Sequence, residues 1–152
     1  MWRDGAARAA GEAEIARSSI ILCVEDDAVL RASMMRSLAR RGYRVRGAAS
    51  AAEALGRVRR ALPALLVVDH DLGPDALTGA DLVGEIGRQL SGDAPPAILV
   101  SGTVDTIPAA DQALFDAVLR KPCRVDELVD HIERLCPDAA VVRSGMQLRR
   151  QR

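Results

Sequence analysis

The chain has 152 residues, 21 basic against 21 acidic side chains and a hydrophobic content of 49%, the profile of one globular domain with enough apolar material for a core. Zero net charge removes the field that draws proteins to phosphate backbones, and 2% aromatics removes the stacking platforms of nucleic-acid modules, so no nucleic-acid partner is expected. Apolar runs of about five residues fall far short of the roughly 20 that span a bilayer, and residues 1–19 carry no signal-peptide apolar stretch; a cytoplasmic protein with no membrane partner is expected. Cys23, Cys123 and Cys136 are widely spaced and form no C-x-x-C pair, which reads as three free thiols with Cys23 inside a strand.

Residues 1–18 are Ala-rich but interrupted by Gly5 and Gly11, and read as an N-terminal arm or extra helix outside the core, with Trp2 in the arm. Ile20-Ile21-Leu22-Cys23-Val24 is wholly apolar and runs into Glu25, Asp26 and Asp27, the pattern of a buried strand followed by a capped helix. That helix extends to about Arg41, with Leu30, Met34 and Leu38 facing inward and Gly42 as its stop. Tyr43-Arg44-Val45-Arg46 alternates apolar and charged residues, so one face is wet and the strand belongs at an edge. Ser50-Ala51-Ala52-Glu53 fits a capping box and opens a helix with Ala51, Leu55, Val58 and Leu62 inward, closed by Pro63.

Leu65-Leu66-Val67-Val68 is the most strongly apolar strand and delivers Asp69-His70-Asp71 at its carboxyl end, the edge where open α/β sheets place ligands. After the Gly73–Gly79 loop, Leu82, Val83, Ile86 and Leu90 mark a third helix. Ala97-Ile98-Leu99-Val100 is a fourth strand ending in Ser101-Gly102-Thr103. The next helix is short, about six or seven residues, with Pro108 in its first turn. Ala117-Val118-Leu119 ends in Arg120-Lys121-Pro122, and Val125, Leu128, Val129, Ile132 and Leu135 share one face of a last helix. Residues 19–136 thus form the domain and 137–152 a tail. Strand and helix alternate five times, which predicts a flavodoxin-like (βα)5 fold: a five-stranded parallel sheet in the order 2-1-3-4-5 with helices on both faces.

Four strand ends now carry polar residues: Glu25 and Asp26, then Asp69, Ser101 and Lys121. Carboxylates held together repel unless a cation joins them, and hard oxygen ligands without His or Cys favour Mg2+ or Mn2+. Lys121 fits a point charge for phosphoryl oxygens, and Ser101 a hydroxyl to hydrogen-bond one. Taken singly, each has an ordinary structural reading: helix cap, turn residue, surface lysine.

Together, Val24-Glu25-Asp26-Asp27, Val67-Val68-Asp69, Val100-Ser101-Gly102 and Lys121-Pro122 resemble, in order, the signatures of the response-regulator receiver domain of two-component signalling, over about Ser19 to Leu135. The resemblance implies a stand-alone phosphoacceptor that takes a phosphoryl group onto Asp69 from a sensor histidine kinase or a histidine phosphotransfer protein. It implies Mg2+ (or Mn2+) held by Glu25, Asp26, Asp69 and the backbone carbonyl of Asp71, with Lys121 and Ser101 contacting the phosphoryl group. An unidentified downstream protein would read the state, and pairing of two copies is left open. Two features depart from the family: Val118 stands where an aromatic residue is usual, and only 20 residues separate Ser101 from Lys121. His70, directly after the acceptor, reads as a loop residue. Two other functions compete. Asp69-His70-Asp71 resembles the D-x-D motif of dehalogenase-like phosphatases, although that family places its acid pair last and here it comes first. A receiver-shaped interaction module that is never phosphorylated is the other.

Overall fold

The computed structural model describes residues 18–137 and 139, apart from Asp75; the expected arm before Ser18, with Trp2, and nearly all of the expected tail lie outside the described residues. Strands β1 (Ile20–Val24), β2 (Arg44–Ala48), β3 (Leu65–Val68), β4 (Ala97–Ser101) and β5 (Ala117–Arg120) alternate with helices α1 (Ala28–Arg40), α2 (Ala51–Arg60), α3 (Gly79–Leu90), α4 (Ala109–Gln112) and α5 (Val125–Leu135). The sheet order is β2-β1-β3-β4-β5, and every pairing is parallel. This is the (βα)5 flavodoxin-like arrangement that the alternation predicts.

Strand side chains alternate between the two faces, and the core divides accordingly. Leu22, Val24, Leu66, Val68 and Leu99 pack with Ala54 and Val58 of α2 and Leu82 and Ile86 of α3. Ile21, Cys23, Leu65, Val67, Ile98 and Val100 pack on the other face with Leu38 of α1 and Leu128, Val129 and Ile132 of α5. β1, β3 and β4 are sandwiched by both layers, which is why their sequences are apolar throughout. β2 lies at an edge, where Arg44 and Arg46 are exposed. Cys23 and Cys136 are buried, Cys123 is half-buried, and all three are free thiols.

The helix boundaries follow from local chemistry. Asp27 caps α1 by accepting from the N–H groups of Val29 and Leu30 at 2.9 and 3.0 Å. The same helix ends in a Schellman motif, in which Gly42 (φ 89°) donates to Ala39 O and Tyr43 to Leu38 O. At α2 the expected capping box is only half formed. Ser50 accepts from Glu53 N–H at 3.1 Å, but Glu53 reaches one residue further back, to Ala49 N–H at 2.8 Å. A complete capping box occurs at α3, between Thr78 and Asp81.

Two expectations about packing need correction. Leu30 does not face the core; it is 48% exposed and forms one wall of an open groove of about 440 Å3 with Met34, Val100, Pro122 and Leu128. It lies on the first turn of α1, where the open groove separates that helix from Val125 and Leu128 of α5. The fourth helix is shorter still than expected: α4 spans Ala109–Gln112, with Pro108 as the residue before it. The chain beyond Gln112 is needed for two further turns, which place Phe115 N–H on Gln112 O and Asp116 N–H on Ala97 O. Those turns bury Phe115 and start β5 in register.

Candidate functional site

Strand register brings the chemistry to one rim. Val24 pairs with Val68, Val68 with Leu99, and Ser101 with Arg120. The residues just beyond therefore emerge side by side. Ladder hydrogen bonds continue past the strand ends and fix their backbones: Glu25 N–H donates to Ala48 O, Asp69 N–H to Val24 O, and Lys121 N–H to Ser101 O, at 2.9 to 3.1 Å.

Oxygen atoms of Glu25, Asp26 and Asp69 lie within 4.8 Å of one another. Glu25 is buried, with 2% of its surface exposed, while Asp26 is exposed. The Lys121 ammonium reaches over the rim to Glu25 at 3.1 Å and to Asp69 at 3.4 Å. Burial, and then the hydrogen bond and negative charge of Asp69, push the Glu25 carboxyl up to about 7, against the opposing pull of Lys121. Burial alone would lower the Lys121 ammonium, but Glu25 and Asp69 outweigh it and the net direction is upward. One lysine thus faces three carboxylates, and the cluster lacks positive charge. The donors are all hard oxygens, and one acid stays buried at the cost of a raised pKa. That set fits a hard divalent cation such as Mg2+.

The predicted site residues are not all in this cluster through their side chains. Ser101 is buried at the end of β4. Its Oγ accepts from Thr103 N–H at 3.1 Å and lies 3.2 Å from Thr103 Oγ1. Asp71 turns its carboxylate away to accept from Gly73 N–H at 3.1 Å, in an Asx turn that Gly73 completes at φ 113°. His70 stands in the loop, half-buried, with no partner for its Nδ1 among the described residues. Val118 is half-buried and packs on the α2–α3 side of the core. Lys121 precedes a cis peptide bond to Pro122.

Two supporting residues escaped the sequence reading. Arg31 of α1 donates from Nη1 to Glu25 O at 2.8 Å and so braces the backbone beneath the acid pair. Gly79, the first residue of α3, lies against the end of β3: a Cβ there would sit 2.3 Å from Asp69 O and 2.9 Å from Val68 Cγ1. The Thr78-Gly79-Ala80-Asp81 spacing is an S/T-x-x-D cap signature, a signal for the helix start that carries no sign of this close approach.

Clustered oxygens, one ammonium and a buried hydroxyl thus lie on adjoining strand ends, a set whose chemistry suits a phosphoryl group or a hard metal ion. The family model described as "Response regulator receiver domain" matches residues 21–133. The response regulator MprA of Mycobacterium leprae is 34% identical over 116 residues, which are 76% of this chain and 50% of that protein; the match thus spans about half the length of MprA. An uncharacterised 14.6 kDa protein of Leptolyngbya boryana is 32% identical over 125 residues, covering 78% of this chain and 94% of that one. Among solved structures, the response regulator TrrA of Thermotoga maritima, in complex with Mg2+ and BeF, superposes with a TM-score of 0.69 at 25% identity, covering 76% of this chain and 97% of that one. Aspartate phosphorylation and Mg2+ at an acidic cluster are typical of these proteins, and no helix among the described residues is long and apolar enough to cross a membrane. The chain belongs to the response-regulator receiver-domain family of two-component systems.

Proposed function

We propose that this chain is a phosphoacceptor, with Asp69 as the residue that carries the phosphoryl group. The observation that carries this reading is the position of the Asp69 carboxylate, 3.4 Å from the Lys121 ammonium and in one oxygen cluster with Glu25 and Asp26. The donor is a phosphohistidine on a kinase or phosphotransfer protein. An Asp69 oxygen attacks phosphorus, the P–N bond breaks with its electron pair returning to the imidazole, and an acyl phosphate forms on Asp69.

Each neighbour has a distinct task. Glu25, Asp26, Asp69 and the Asp71 carbonyl would hold Mg2+, which would supply positive charge to offset that on the transferring phosphoryl group. Lys121 sits between Glu25 and Asp69 and contributes its ammonium to the same developing charge. Ser101 donates its hydroxyl to a phosphoryl oxygen once one is present. The dehalogenase-like alternative needs Asp71 as a second catalytic acid, and its carboxylate is instead spent on Gly73 N–H.

Incubation with acetyl phosphate and Mg2+, followed by intact-mass spectrometry, tests the proposal. One phosphoryl adduct on the native chain, absent from Asp69→Asn and in the presence of EDTA, is the expected outcome. No adduct from acetyl phosphate or from a cognate kinase would leave a receiver-shaped interaction module, and fast multiple turnover of phosphate esters would point to a phosphatase.

A further inference from the structure

The hydroxyl of Ser101 is already engaged. Its oxygen accepts from Thr103 N–H at 3.1 Å, and Thr103 Oγ1 is 3.2 Å away. A serine hydroxyl has one proton to donate. A phosphoryl oxygen can only accept, so a phosphorylated Asp69 would need that same proton. The Ser101 oxygen keeps a second lone pair beside the one that takes the Thr103 N–H, so either hydroxyl can donate across the 3.2 Å contact; when Ser101 is the donor, Thr103 Oγ1 takes its proton.

Thr103 is itself held. Its carbonyl accepts from Thr106 N–H at 3.0 Å and from Thr106 Oγ1 at 2.8 Å. The turn between them carries Asp105, which takes a two-point hydrogen bond from Arg120 at 2.7 and 2.8 Å. Arg120 is the strand partner of Ser101 and immediately precedes Lys121. The loop after β4 is thus tied back to β5, and its threonine is placed against the hydroxyl by a closed circuit of bonds. Position 118, occupied by valine, supplies no large side chain to move with the hydroxyl.

Resting on the phosphoacceptor reading above, we propose that Thr103 is a positioning residue: its side-chain hydroxyl competes with a phosphoryl oxygen for the proton of Ser101 and so sets how readily Ser101 joins the phosphorylated site. The Arg120–Asp105 pair keeps Thr103 in place for that task.

The test is titration of the full chain with beryllofluoride and Mg2+, a phosphoryl mimic whose fluorines accept hydrogen bonds, followed by calorimetry or fluorine NMR. Thr103→Val removes the competing hydroxyl and keeps the backbone N–H. It is expected to tighten binding by about two- to tenfold, the worth of one neutral hydrogen bond. Thr103→Ser keeps the hydroxyl and is expected to match the native chain. In a Ser101→Ala background, Thr103→Val is expected to change nothing, a dependence that a general effect on loop stability would not produce. Thr103→Val that leaves binding unchanged or weaker, or that shifts it equally with and without Ser101, overturns the role of Thr103 while leaving the phosphoacceptor reading intact. Failure of the native chain to bind beryllofluoride at all overturns both.

Discussion

Replacing Asp69 by Asn should stabilise the metal-free protein while removing its response to Mg2+. The side chain feels two opposed forces. Glu25 and Asp26 lie within 4.8 Å, and each repels it by roughly 3.5 kcal/mol at an effective dielectric of about 20. Lys121 at 3.4 Å attracts it by about 5 kcal/mol on the same scale. The net relief on neutralising Asp69 is about 2 kcal/mol, and solvent screening at the open rim brings it to about 1–2 kcal/mol. Asparagine has nearly the same shape, so packing changes little. Urea unfolding in EDTA, at about pH 8 so that Glu25 is ionised, should give a higher midpoint for Asp69→Asn with an unchanged slope. Millimolar Mg2+ should then raise the midpoint of the native chain well above that of the variant. A variant less stable than the native chain in EDTA by more than about 1 kcal/mol would refute the reasoning. The Lys121 contact would then dominate the site, and the three acids would not be a frustrated cluster.

Glu25 makes the metal-free protein sensitive to pH near neutrality. Its folded-state carboxyl titrates at about 7 against an ordinary 4.5, so folding takes up a proton between those values. Stability of the metal-free chain gained through this group therefore increases as pH falls through 7 and is complete below about 4.5, worth roughly 2–3 kcal/mol. Unfolding in EDTA across that window should show the gain as a difference between the native chain and Glu25→Gln; equal pH profiles would contradict it. Gly79→Ala places a methyl group 2.3 Å from Asp69 O, against backbone that cannot yield. The expected loss is about 3 kcal/mol or more, measurable by chemical denaturation, with impaired adduct formation at Asp69; a variant as stable as the native chain would show that α3 can slide without cost.

The fold was legible because its strands are unambiguous. Residues 20–24, 65–68 and 97–100 are apolar runs that only a doubly covered strand explains, and the Arg44/Arg46 alternation marked the edge. Asp27 and Gly42 announced the ends of α1 by local chemistry alone. The acids, Ser101 and Lys121 could be placed at one rim because parallel strands all point the same way. What failed to show was tertiary. Leu30 continues the apolar spacing of Met34 and Leu38, yet its turn borders an open groove between α1 and α5 rather than packed core. α4 lost a turn because Phe115 and Asp116 have to meet the sheet at Ala97. Arg31, Gly79 and Thr103 act through contacts that no spacing encodes: a guanidinium on a carbonyl, a missing methyl group, and a hydroxyl beside a hydroxyl.

The two borders of the sheet bear on how copies of this chain can meet. Arg44 and Arg46 are exposed along β2, and Arg120 is exposed on β5. A second sheet approaching the β2 margin would have to line up guanidinium groups of like sign along the strand, which is a common guard against strand-to-strand growth. At the β5 margin the guanidinium of Arg120 is spent on Asp105. The electrostatic guard against extending the sheet in a crowded solution therefore stands on the β2 side.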